Sequence, residues 1–274
     1  MLTALARPAA TSERASHRGY TGSPLRQLPL PPRELRRLVG PTDPEPFDNP
    51  SGGPVFPDVP MHAYAFVFDF GCGCGRVARQ MMQQQVAPQR YIGVDAQRIS
   101  VEWCRANLTP HAPQFTFEHH DVFHEFVNPE GQLDPVRLPV PDGAVTLFIA
   151  WSVFTHLFEA DASFYLRELA RVLSPAGIAV TTWFLFDKRD FPMMQTFQNT
   201  LFISDFDPTN AVLFAREWVC ERAAEYGLAI TRIVPPAIRG FQWAIEFQKD
   251  AEGRTRPEFP EDRAPYGLAR PPAG

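Results

Sequence analysis

Short runs of unbroken apolar residues alternate along this chain with longer stretches in which apolar residues recur at helical spacing. The runs fall at 65–70, 90–94, 115–118, 145–150 and 178–184, and their continuous apolarity is that of strands covered on both faces. The clearest helix is predicted over 161–173. Tyr165, Leu169, Val172 and Leu173 share one face there, and Pro175 and Gly177 are expected to stop it. A last helix at 216–226 precedes two further strands, 229–234 and 241–248. Their connection is too short for a crossover and so requires an antiparallel pair. The alternation predicts a doubly wound α/β fold, with a mostly parallel seven-stranded sheet that ends in a C-terminal antiparallel hairpin. No internal repeat is present.

Proline changes the picture at the ends. Of 29 prolines, 12 lie in residues 1–60 and five in 251–274. Residues 1–30 combine four arginines with one acid and show neither periodicity, which predicts disorder. Residues 31–60 read as a lid or cap segment. Within it, Pro32 can open a short helix carrying Leu35, Leu38 and Val39 on one face. The globular domain is expected over 61–249, with a substrate-side insertion at 185–215 and a proline-rich tail at 250–274.

The chain has 274 residues and a net charge of −5, which argues against nucleic acid and favours a small molecule. No apolar run is long enough to span a bilayer and no secretory signal opens the chain, so a cytoplasmic protein without membrane insertion is expected. Cys72, Cys74, Cys104 and Cys220 match no common zinc spacing and read as reduced, mostly buried thiols, with no metal expected. The sequence gives no oligomeric state.

Candidate chemistry begins where the first strand runs into Asp69-Phe70-Gly71-Cys72-Gly73-Cys74-Gly75-Arg76. Glycine lets a backbone turn tightly and approach a ligand closely. An acid, Asp95, ends the next strand about twenty residues after Gly75, where a carboxylate can accept from ribose hydroxyls. A third acid, Asp121, ends the following unit and can receive an adenine amino group. Three consecutive strand ends therefore point to a nucleoside.

These residues resemble the class I S-adenosylmethionine-dependent methyltransferase family, through VFDFGCGCGR, YIGVD, HHDVF, LPVPDGAVTLFIAWSVFTHL and ELARVLSPAGIAVTTWF. The resemblance covers roughly residues 61–248. It implies S-adenosyl-L-methionine as cofactor, with the glycine loop residues Asp69, Phe70, Gly71, Cys72 and Gly73 at its methionine half. Asp95 and Ala96 would lie at the ribose, Asp121 and Val122 at the adenine, and Trp151 beside them. The stretch 31–47 and the late GFQW segment are similar to a bacterial subgroup that methylates sugars, lipids or secondary metabolites. Two positions depart from the family pattern. Thr146 replaces an acid frequent in the fourth strand, and Trp243 replaces one that follows the glutamine of the last segment, where it would alter the pocket wall.

A sulfonium methyl is already activated, so a protein must mainly align the acceptor and exclude water, and a hydroxyl acceptor also needs its proton removed. His156, just beyond the fourth strand, stands where a general base would, although a histidine there can also serve only to hold its loop. His119, His120 and His124 lack metal-ligand spacing and read as structural or solvated. The apolar stretch from Phe191 to Phe206 can line an acceptor pocket or pack on the sheet. Arg239 and Trp243 flank Gly240 in the C-terminal hairpin and can meet the acceptor, and Arg239 reads equally as a solvated turn residue. Oxygen and nitrogen acceptors both fit the sequence. A nicotinamide-dependent oxidoreductase shares the nucleotide-binding logic, and a non-catalytic methyltransferase-like accessory protein is the third reading.

Overall fold

The computed structural model describes residues 27–250 and 258–261. Of the segment 1–30 expected to be disordered, residues 1–26 lie outside the described residues, as does most of the C-terminal tail, whereas Leu28 is buried and its carbonyl and that of Pro29 accept from Arg79.

The apolar runs form β1 (Phe66–Phe70), β2 (Arg90–Asp95), β3 (Phe115–His119), β4 (Val145–Ala150) and β5 (Leu173–Phe186). They pair in parallel in the order β3-β2-β1-β4-β5. Alternate side chains of a strand face opposite ways, and here both faces are covered. Phe66, Phe68 and Phe70 enter one core with Tyr165, Leu166 and Leu169 of α4 (Glu159–Val172) and Trp218 of α5 (Arg216–Glu225). Val67 enters the other, with Met81 of α2 (Arg76–Met82) and Val101 and Cys104 of α3 (Arg98–Asn107). Each fully buried side chain of the Phe or Val kind stabilises the fold by roughly 1.5–3 kcal/mol, which is why these strands show no polar alternation.

The insertion is ordered. It supplies β6 (Thr200–Phe202) and β7 (Val212–Ala215), with β7 parallel to the last residues of β5 and β6 antiparallel to β7. Next, β8 (Leu228–Val234) pairs antiparallel with β9 (Trp243–Lys249), and β9 pairs antiparallel with β5. The expected seven strands are all present, and the insertion raises the total to nine.

Three local expectations need correction. The helix α4 ends at Val172 and β5 starts at once, so Pro175 and Gly177 lie inside a strand. They occupy a bulge, because Val145 pairs with Leu173 while Leu147 pairs with Ile178. Second, the described connection 120–144 between β3 and β4 holds no helix. Arg171 braces it instead, bonding the carbonyls of Leu138 (3.0 Å) and Val140 (2.9 Å) and the Glu168 carboxylate that accepts from Leu138 N–H. Third, the short helix α1 (Arg33–Leu38) buries Leu35 and packs Val39, but Leu38 is 52% exposed.

Among the described residues no helix is long and apolar enough to cross a membrane. All four cysteines are free thiols and buried.

Candidate active site

The site lies where β1, β2 and β4 end, at the carboxyl edge of the parallel sheet. Gly71, Gly73 and Gly75 have φ of +79°, +52° and +80°, a region that strains residues with a Cβ. Space forbids one too. A Cβ on Gly71 would come within 2.3 Å of Val153, and one on Gly73 within 2.4 Å of Val39.

Most of the loop's N–H groups bond within the fold. Gly71 and Cys72 both donate to Val94 O (2.8 and 3.0 Å), Gly75 donates to Cys72 O (3.0 Å), and Gly73 donates to Asp95 Oδ2 (2.7 Å). The other Asp95 oxygen accepts from Gln97 N–H (2.8 Å). Asp95 thus fastens the loop to β2, and each of its oxygens keeps a second lone pair for a ligand hydroxyl. Burial raises the Asp95 pKa, while those two backbone bonds pull it down. Asp69, 1% exposed, accepts a hydrogen bond from the Tyr91 hydroxyl. Burial pushes its pKa up to about 7 against the pull of Tyr91. The side chain of Phe70 is in the core against Tyr165, so Phe70 has only its backbone to offer a ligand.

At the next strand end, Ala96 O bonds His119 Nε2 (2.9 Å). Asp121 Oδ1 and Val122 O both accept from Asn128 Nδ2 (3.0 and 2.8 Å), and Val122 N–H is donated to His120 O (2.8 Å). Of that pair, the Val122 N–H is committed, while the Asp121 carboxylate keeps open acceptor positions. His120 is buried against the Tyr165 hydroxyl (2.8 Å), and burial lowers its pKa to about 4. Its role is structural. His124 lies within electrostatic reach of His156 and Asp207. Among the described residues no cluster of His, Cys, Asp and Glu has the makings of a metal site.

The loop after β4 links both sides of the site. Trp151 stays partly exposed beside Phe56, with ring centroids 5.9 Å apart. Ser152 has φ +61°, a strained conformation for a residue other than glycine and one that clusters at functional sites. Its N–H donates to Thr182 Oγ1 (2.7 Å) and its hydroxyl to Gln242 Oε1 (3.0 Å). Val153 fills the space above Gly71, Phe154 stacks on Trp183 at 4.1 Å, and His156 Nδ1 meets Thr209 O at 2.7 Å. Thr209 belongs to the insertion.

Sequence reasoning missed Ser152, Thr182 and Gln242. The strain at Ser152 has no sequence signal, and Gln242 entered only as part of the GFQW segment, with no partner assigned to it. Trp243 itself is buried opposite Trp183 with Arg216 over its ring at 4.7 Å, so it is a core residue and not a pocket wall. Thr146 likewise serves the scaffold. Its hydroxyl accepts from Phe66 N–H (2.8 Å) and reaches Ala63 O (2.7 Å), anchoring the start of β1. In the insertion, Met194 and Leu201 pack on the core, whereas Met193 (91%) and Phe206 (86%) face solvent.

Residues 67–177 match a family model described as a methyltransferase domain. This stretch runs from β1 into β5 and contains the glycine loop, Asp95, Asp121 and His156. Over these residues the chain carries a methyltransferase domain. Solved structures of similar fold include the 4+2 cyclase SpnF, 18% identical with a TM-score of 0.43 over 63% of this chain and 54% of that one. The chain thus spans about half the length of SpnF. A TehB-like S-adenosylmethionine-dependent methyltransferase from Corynebacterium glutamicum is 18% identical, with a TM-score of 0.42 over 68% of this chain and 80% of its own. A methyltransferase from Methanosarcina mazei is 16% identical, with a TM-score of 0.48 over 70% and 97%. Membership rests on the matched model and the motif geometry, not on these three likenesses.

The methyltransferase domain fits its cofactor on its own chemistry. The loop carbonyls and the acids Asp69 and Asp95 suit an ammonium and a ribose diol.

Proposed function

We propose that this protein transfers a methyl group from S-adenosylmethionine to a hydroxyl of a small, partly apolar acceptor of the sugar, lipid or secondary-metabolite kind, with His156 as general base. The observation that carries the reading is the bond between His156 Nδ1 and Thr209 O at 2.7 Å. A carbonyl oxygen only accepts, so Nδ1 carries the proton and the neutral ring keeps a bare lone pair on Nε2. That is the tautomer a base requires. Phe158 and Phe202, both exposed and with ring centroids 6.0 Å apart, supply an apolar surface two residues beyond His156.

When bound, S-adenosylmethionine supplies a methyl group already activated on a sulfonium. Asp69 and the loop carbonyls would hold its ammonium, Asp95 its ribose and Asp121 its adenine. Val153, three residues before His156, packs over Gly71, so the loop that bears the base lies against the cofactor loop. The chain contributes alignment, exclusion of water, and acceptance of the hydroxyl proton at Nε2. We assign residues 31–60 as a cap, 61–249 as the methyltransferase domain and 185–215 as its substrate-side insertion. An oxidoreductase is disfavoured because the stretch that bears the glycine loop, Asp95 and Asp121 matches a methyltransferase domain.

Radiolabelled methyl transfer into a small-molecule extract tests the reading. His156→Gln should cut the rate by about a hundredfold to ten-thousandfold while S-adenosylhomocysteine still binds normally. A rate within a few-fold of the parent makes His156 a loop-holding residue.

A further inference from the structure

Arg36 is a buried cation with no counter-ion among the described residues. It sits on α1, is 9% exposed, and its Nε is buried with no hydrogen-bond partner. No ion pair or side-chain hydrogen bond of Arg36 is found among the described residues. A guanidinium stays charged at every accessible pH, so burying one unpaired is costly unless something arrives to neutralise it.

A neighbouring arginine shows what a purely structural one looks like in the same segment. Arg79 of α2 donates to Pro29 O (3.1 Å), Leu28 O (3.1 Å) and Phe47 O (2.8 Å) and pairs with Asp48. It thereby straps residues 28–48 onto the glycine loop. Leu35, beside Arg36, packs with Phe47 and Cys74, and Val39, a turn further on, occupies the space above Gly73. The charge of Arg36 is felt at the Cys74 thiol. Strap and loop therefore hold this guanidinium at the edge of the cofactor loop.

We propose that Arg36 is the counter-ion for the carboxylate on the amino-acid arm of the cofactor, which makes the strap before the matched domain a working part of the cofactor site. The proposal rests on the reading that S-adenosylmethionine binds at the glycine loop. An amino-acid arm is a zwitterion. Its ammonium suits Asp69 and the loop carbonyls, and its carboxylate needs a cation. Arg76 too makes no ion pair or side-chain hydrogen bond among the described residues, but it feels the charge of Asp69, the acid of the ammonium end, and of the two arginines only Arg36 has a buried guanidinium nitrogen without a partner. The planar guanidinium also matches a carboxylate in a two-bond geometry.

The experiment is isothermal titration of the full chain with S-adenosylhomocysteine and with 5′-methylthioadenosine, which keeps nucleoside and thioether but lacks the carboxylate. Arg36→Met should weaken S-adenosylhomocysteine by roughly tenfold to a hundredfold and leave 5′-methylthioadenosine within twofold. Arg36→Lys should fall between, since it keeps charge and loses the fork. The melting temperature of ligand-free Arg36→Met should equal or exceed that of the parent, because an uncompensated charge has been removed. Equal weakening of both ligands, or a clear drop in the ligand-free melting temperature, makes Arg36 structural and overturns the proposal. Unchanged S-adenosylhomocysteine binding overturns it as well. A parent protein that binds neither ligand overturns the cofactor reading beneath it, an outcome that differs from all of these.

Discussion

Replacing Asp95 with alanine removes two kinds of bond at once. In the ligand-free protein its carboxylate accepts from Gly73 N–H at 2.7 Å and from Gln97 N–H at 2.8 Å. Hydrogen bonds to a charged group are worth roughly 1.5–3 kcal/mol each, and in the complex the same oxygens would also hold the ribose hydroxyls. Losing the ribose bonds alone should weaken S-adenosylhomocysteine by roughly tenfold to a hundredfold. Loss of the Gly73 tether frees the loop, which adds an ordering cost on binding and lowers the melting temperature of the free protein by several degrees. Asp95→Asn separates the contributions. Its single amide oxygen can serve either Gly73 or Gln97, while its NH2 faces the other N–H, so it should lose affinity nearly as fully as alanine. Titration calorimetry measures the affinities, and a thermal melt without ligand measures the scaffold share. If both variants bind S-adenosylhomocysteine within about twofold of the parent, Asp95 does not hold the ribose and the site is placed wrongly.

The remaining expectations concern protons and strain. Burial raises Asp69 to about 7 from an unfolded value near 4, so the folded state holds a proton that the unfolded state releases. Its contribution to stability is greatest on the acid side and declines as pH rises from about 4 through about 7. A cationic ligand favours the ionised form. S-adenosylmethionine affinity should therefore rise with pH through about 7, with release of up to one proton, and Asp69→Asn should abolish that dependence. Calorimetry in buffers of different ionisation enthalpy reads it, and a flat profile refutes it. At Ser152, alanine keeps the φ of +61° and loses the bond to Gln242, so Ser152→Ala should destabilise by about 1 kcal/mol. Ser152→Gly also relieves the strain and should melt near the parent, and the reverse order in a denaturant melt would show that φ at this residue is not strained.

Much of the frame was legible because burial on both faces of a sheet leaves an unbroken apolar run. Phe66–Phe70, Arg90–Asp95 and Val145–Ala150 lie within a residue of where apolarity alone put them. The antiparallel hairpin followed from a short connection, although that connection runs from 235 to 242. Punctuation misled at Pro175 and Gly177, since a bulge in a strand and the end of a helix use the same residues. The crossover from β3 to β4 was invisible because an arginine network, not a helix, holds it. In the site, residues brought together by neighbouring strand ends were readable: Asp69, Gly73, Asp95 and Asp121. Those brought together by tertiary packing were not. Arg36 stands in the run RELRRL, whose helical spacing singles out only Leu35, Leu38 and Val39, and its burial accompanies the strap held by Arg79. Gln242 meets Ser152 across 90 residues of chain.

The central claim is that the glycine loop of this methyltransferase domain takes S-adenosylmethionine and not a dinucleotide. A thermal melt of the full chain with S-adenosylhomocysteine, set against one with NADH, tests it most directly. At a ligand concentration about a hundred times the dissociation constant, binding to the folded state adds about 2.7 kcal/mol, or roughly 5–10 °C in melting temperature for a chain of this size. S-adenosylhomocysteine should give that shift and NADH none; a shift with NADH, or none with S-adenosylhomocysteine, contradicts the account.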